Sequence, residues 1–121
     1  MDITKTLIFV GTEGRYHDHE GNGQYLTTML NRTDTIEAHF SRDYQILADG
    51  ISQYHTVLFY TDIGELTPAQ ETGLLNYIRG GGGFFGLHTA AASFRDSHAY
   101  HSMLNGFFNG HSPYIWTLLL R

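Results

Sequence analysis

Short apolar runs alternate with helical patterns along this chain, and few folds accept that alternation. Thr6–Val10, Ile36–Phe40, Thr56–Tyr60 and Phe84–Leu87 read as strands, each bounded by polar or glycine-containing turns. Thr6–Val10, an apolar run closed by Gly11, suits a strand buried on both faces, as in a parallel sheet covered by helices, whereas Ile36–Phe40 alternates weakly. Between them, Gln24–Leu30 sets Tyr25, Leu26, Met29 and Leu30 on one helical face. Leu66–Glu71 carries a helix start, with Thr67 as N-cap and Pro68 at the first helical position. Leu74, Leu75, Tyr77 and Ile78 supply that helix's buried face, and Gly80–Gly83 ends it. Ser97–Leu104 reads as a further helix that stops at Asn105-Gly106. Asp43–Tyr54 is ambiguous and fits a short strand and a helical turn, and Tyr114–Leu120 is the candidate for a fifth strand. Strands alternating with helices imply an α/β domain of parallel βαβ units, with helices on both faces.

Composition narrows the classes of function. A chain of 121 residues, 41% hydrophobic and 16% charged, is expected to be one globular domain over residues 1–121. Its net charge of -5 and scattered basic residues argue against nucleic-acid binding, which needs a basic stripe. With no cysteine, disulfides, a thiolate nucleophile and cysteine-held metal centres are excluded. Met1–Val10 enters a strand-like run without the basic and apolar regions of a signal peptide, and no run is long enough to span a membrane. A cytoplasmic location is the default expectation.

In open parallel sheets, ligands bind beyond the carboxyl ends of the strands. The loop after the first strand carries His17, Asp18, His19 and Glu20; Asp62 follows the third strand and His88 the fourth. Gly86-Leu87-His88-Thr89-Ala90 has the spacing of a nucleophile elbow, where small residues flank a side chain on a tight strand-to-helix turn. With histidine at the tip, the chemistry open to it is general acid, general base or metal ligation. The plainer alternative is a histidine that only hydrogen-bonds across the loop. His17 and His19, two apart on an extended loop, can face one centre; read alone, they are a solvated polar cluster. His111, between Gly110 and Ser112-Pro113, sits in a turn and is either a surface residue or a further member of the site. His111 could complete a site with His88 and His17 or His19, so the candidate ligands of a divalent metal such as zinc, which takes imidazole nitrogens, are drawn from His17, His19, His88 and His111. Arg15, Tyr16, Asp62, Thr89 and Ser93 are candidates for ligand binding, although each taken alone is also an ordinary structural residue. His98 and His101 share a helical face and read as exposed.

In combination, these segments carry a resemblance. The ordered set is the strand into Gly11, the His17/His19 loop, Leu66-Thr-Pro-Ala-Gln70, Gly81–Ala90, Ser93-Phe94, Tyr100 and Asn105–Pro113. It resembles the ThuA-like (trehalose utilisation) family, of the class I glutamine amidotransferase-like superfamily. The resemblance implies a flavodoxin-like three-layer αβα sandwich with a mostly parallel sheet of about five strands. It implies a role in carbohydrate metabolism, with trehalose or a related, oxidised disaccharide as the sugar ligand. The amidotransferase relatives carry cysteine at the elbow, so glutaminase activity is not expected with His88 there. Family domains run beyond the Gly110-His111 turn, so this chain reads as C-terminally short, and Tyr114–Leu120 reads as a strand available for homo-oligomerisation.

Beside a purely structural remnant with a marginal or self-associating fold, two classes of function follow. In one, the domain is an enzyme whose His88 transfers protons or ligates metal. In the other, it is a non-catalytic module that binds a sugar or a partner on the same fold.

Overall fold

The computed structural model describes residues 2–110. Four strands, β1 (Thr4–Phe9), β2 (Ile36–Ser41), β3 (Thr56–Phe59) and β4 (Gly83–Gly86), form one parallel sheet in the order β2-β1-β3-β4. The fifth strand expected at Tyr114–Leu120, with the association surface read there, lies outside the described residues.

Alternation along the strands builds two layers of contacts. Leu7 and Phe9 of β1 and Val57 and Phe59 of β3 point to one face, where α2 (Gln45–Ala48), α3 (Pro68–Arg79) and α4 (His98–Leu104) cover them. Leu47, Leu74, Phe94 and Tyr100 complete this core. Ile8 and Val10 point to the opposite face, where α1 (His19–Leu30) packs on the β1–β2 half of the sheet. This is a three-layer αβα arrangement of the flavodoxin type. The β3–β4 half of the second face is covered less: Phe85 is 57% exposed.

α3 begins where the sequence places it. The Thr67 hydroxyl accepts from the Gln70 N–H, and the Gln70 side chain accepts from the Thr67 N–H, a complete capping box ahead of Pro68. At Gly73 this helix meets α2 so closely that a Cβ would collide with the Leu47 carbonyl oxygen. A backbone carbonyl cannot rotate aside, so Gly73→Ala should destabilise the fold by about 1–2 kcal/mol, the overpacking cost less the helix propensity gained. Urea denaturation reads this directly as a lower midpoint.

Two local expectations change. α1 starts at His19 rather than Gln24, because Asp18 caps it by accepting from the Gly21 N–H at 2.9 Å. His19 and Glu20 thus belong to a helix and not to an extended loop. The ambiguous Asp43–Tyr54 stretch forms α2 and a 3-10 turn, Ile51–Gln53, with no strand.

Candidate functional site

The loops after β1, β3 and β4 open on the carboxyl edge of the sheet. Backbone strain concentrates there. Among the described residues, the non-glycine residues with positive φ are Ile63, His88, Phe94 and Asn105. Asn105 ends α4 in the left-handed conformation that asparagine tolerates. The other three flank the carboxyl edge, where strained backbone is typical of binding and catalytic sites. Ile63, a β-branched residue at φ 46°, is held by a parallel bridge to Ser93 and by its carbonyl, which accepts from the Phe94 N–H at 3.0 Å.

His88 stands at the tip of the turn after β4 with φ 50°. The Leu87 N–H still bonds to the Phe59 carbonyl, extending the pairing of β4 with β3. The chain then turns sharply into a 3-10 turn, His88–Ala92. The turn is anchored from below. The buried Tyr100 hydroxyl donates to the Ala90 carbonyl at 2.7 Å. Burial pushes the Tyr100 hydroxyl well above the usual tyrosine range, against a smaller lowering by hydrogen bonding with Thr61, so it stays a donor. Ser93, fully buried, exchanges a 2.6 Å hydrogen bond with Thr61 and donates to the Thr89 carbonyl at 2.9 Å.

His88 is exposed, and the exposed ring of His17 meets it edge to face, with centroids 4.9 Å apart. Residues far apart in sequence are thereby joined at one point. What brings His17 there is His19. Its ring is fully buried and stacks obliquely on Tyr60 at 4.6 Å. Nε2 of His19 shares a 2.8 Å hydrogen bond with the Thr89 hydroxyl, the residue after His88. Nδ1 faces the Gly14 N–H at 3.3 Å and the His17 carbonyl at 3.1 Å. Because a hydroxyl donates or accepts, either neutral tautomer of His19 finds partners on both sides. His19 therefore clamps the loop after β1 onto the turn after β4.

The remaining expected residues fall around this clamp. Thr89 is the clamp's partner, and Ser93 lies beneath it in the buried network. Asp62 is buried against the loop after β1: a Cβ at Gly14 would strike its side chain, so glycine permits the approach. The Asp62 carboxylate accepts from the Ile63 N–H at 2.9 Å. Arg15 and Tyr16 are exposed, with the guanidinium 5.4 Å from the Tyr16 ring centre. His111 lies outside the described residues. His101 is half-buried, and its Nε2 lies 3.0 Å from the Ser93 carbonyl.

A catalytic zinc site takes about three protein ligands plus water. Among the described residues, no group of three or more histidines, aspartates or glutamates is placed to hold a metal ion. His17 and His88 make a pair, while His19 spends both ring nitrogens on the clamp. The described residues alone therefore do not fit a zinc centre.

A pocket of about 290 Å³ adjoins His88, lined by Asn22, Tyr25 and Leu26 of α1, by Tyr60 after β3, and by Leu87 and His88. Sequence reasoning passed over it, because tyrosine, leucine and asparagine on a helix and at a strand end read as packing. The signal available was positional: Tyr60 closes the third strand at the edge where ligands bind. No described helix is long and apolar enough to cross a membrane.

The comparisons with known proteins agree with this architecture. The family model described as "ThuA: Trehalose utilisation" matches residues 5–118. No curated protein matches the chain. The crystal structure of a ThuA-like protein from Parabacteroides merdae superposes with a TM-score of 0.75 at 19% identity, covering 91% of this chain and 41% of that one. A ThuA-like protein from Bacteroides uniformis superposes with a TM-score of 0.68 at 22% identity, covering 85% of this chain and 44% of that one. The chain thus spans less than half the length of these two solved relatives, which share its fold. With the family model matching nearly from end to end, the chain belongs to the ThuA, or trehalose utilisation, family.

Proposed function

We propose that this domain binds a sugar-derived ligand, trehalose or a related keto-disaccharide, at the carboxyl edge of its sheet, and that His88 moves a proton there. The observation that carries the reading is His88 itself: an exposed imidazole on a strained turn, paired with a second imidazole and bordering an open pocket. Strain at such a position is retained when it aims a side chain. A neutral imidazole removes a proton from the carbon beside a ketone, and the resulting imidazolium returns one to the enolate. His17, edge-on to His88, accepts or relays the proton. His19 touches no ligand in this reading; it positions His17 and, through Thr89, the turn.

Exchange in deuterium oxide tests the proposal. A keto-disaccharide incubated with the protein should lose the NMR signal of the hydrogen next to its carbonyl, as deuterium replaces it. His88→Ala should slow this by about 100-fold or more. Exchange that proceeds equally with the variant would refute the assignment. If no exchange occurs while the sugar still binds, the domain is a binding module. A divalent metal such as zinc enters only with a third ligand, for which His111 is the sequence's candidate. Exchange by the wild-type protein should survive dialysis against EDTA. Loss on dialysis with recovery on adding zinc would replace acid–base chemistry with metal-assisted chemistry.

A further inference from the structure

Four residues lining the pocket beside His88, namely Asn22, Tyr25, Leu26 and Tyr60, belong to neither the elbow motif nor the histidine cluster. Tyr60 is the informative one. It is 8% exposed, lines the pocket, and its hydroxyl makes no hydrogen bond to any described residue. No described side-chain nitrogen or oxygen is both fully buried and unpartnered, so this hydroxyl keeps some access to solvent although the residue is mostly buried. The ring is locked against His19 at 4.6 Å. A buried ring presenting one free hydroxyl into a pocket is a preorganised hydrogen-bonding group, with little freedom left to lose on binding.

Two further side chains face the same space from α1. Asn22 is exposed, and its side-chain amide makes no hydrogen bond to a described residue. Tyr25 is 67% exposed, an aromatic face held on a helix rather than a loop. Leu26 and Leu87 supply the apolar lining. A pyranose ring has an apolar face of axial hydrogens and a rim of hydroxyls. An aromatic wall together with a phenol, an amide and an imidazole matches that amphipathic shape. The volume of about 290 Å³ takes one such ring rather than an extended oligosaccharide.

We propose that this pocket is the subsite for one pyranose unit of the ligand, with Tyr25 against the sugar face and the Tyr60 hydroxyl and Asn22 amide on its hydroxyls. The unit is seated so that the adjoining part of the ligand reaches His88. This rests on the sugar-binding reading above and adds the residues that would select the sugar.

The test is titration of the 121-residue protein with trehalose and with glucose, followed by NMR shift changes and by calorimetry. Wild-type protein should show its largest shifts at Asn22, Tyr25 and Tyr60. Tyr60→Phe and Asn22→Ala should each weaken binding by about 5–10-fold, the effect of one hydrogen bond. Tyr25→Ala should weaken it by about tenfold, while Tyr25→Phe, which keeps the aromatic face, should bind like wild type. Asn22 and Tyr25 are exposed, so those variants remain informative if Tyr60→Phe perturbs folding. Sugar binding that is unchanged in all three weakening variants would place the sugar elsewhere and overturn the subsite, while leaving the sugar reading intact. Absence of binding by wild-type protein of trehalose, of glucose and of the keto-disaccharide, each at tens of millimolar, would overturn both.

Discussion

Replacing His88 with glycine should make the protein more stable and at the same time abolish the proton transfer proposed for this residue. At φ 50° the histidine carries the cost of the left-handed conformation, roughly 1–2 kcal/mol. Glycine adopts that conformation freely but gives the unfolded chain more entropy to lose, about 0.4–1 kcal/mol. The difference leaves the variant more stable by about 0.5–1 kcal/mol, or about 2–4 °C in melting temperature. Deuterium exchange on a keto-disaccharide should fall by about 100- to 10,000-fold, the range expected when a general acid or base is lost. Asparagine, which tolerates the left-handed region and lacks a proton-transfer group, separates the two effects. His88→Asn should melt close to wild type and be equally inactive. A glycine variant that melts lower than wild type would mean that the turn gains more from the histidine ring than its backbone loses.

Removing the clamp has the larger structural effect. His19→Ala deletes a fully buried ring, its stacking on Tyr60 and the bond to Thr89, and leaves the Gly14 N–H without its partner. Cavity and lost hydrogen bonds together should cost about 3 kcal/mol, or about 10–15 °C in melting temperature. A second readout distinguishes a clamp from a mere core residue. Cross-relaxation between the ring protons of His17 and His88, expected at a centroid separation of 4.9 Å, should disappear in the variant even well below its melting temperature. If it persists, His17 is held by something other than His19.

The scaffold was legible because its signals are local. β1 and β3 are apolar bursts, and Thr67-Pro68-Ala-Gln70 contains its own capping box. The family likewise rests on segments that can be read in order along the chain. What escaped was decided by distant parts of the chain. Asp18 looked like one more charge in a polar cluster, and only the helix it caps shows why it is there. His17 and His19 looked equivalent, yet one is exposed and the other has no contact with solvent. The difference arises because an α1 starting at His19 turns that ring inward, beneath the loop, toward Tyr60 and Thr89. Tyr60 itself ended a strand in the expected place, but nothing in its neighbours along the chain marks its hydroxyl as unpaired.

The bond between His19 and Thr89 spans 70 positions of sequence, and β3 lies between the two strands whose loops it joins. Such a link cannot close until β1, β3 and β4 have all assembled, because β4 reaches β1 only through β3. The histidine pair therefore depends on long-range assembly of these three strands and not on a local nucleus. A chain with β4 detached would keep much of its helical signal in circular dichroism yet hold no site. Backbone amides of β4 and the amide of Gly14 should accordingly exchange with solvent as one cooperative unit, ahead of those in β1. Conditions that loosen that unit would separate His17 from His88 before the protein visibly unfolds.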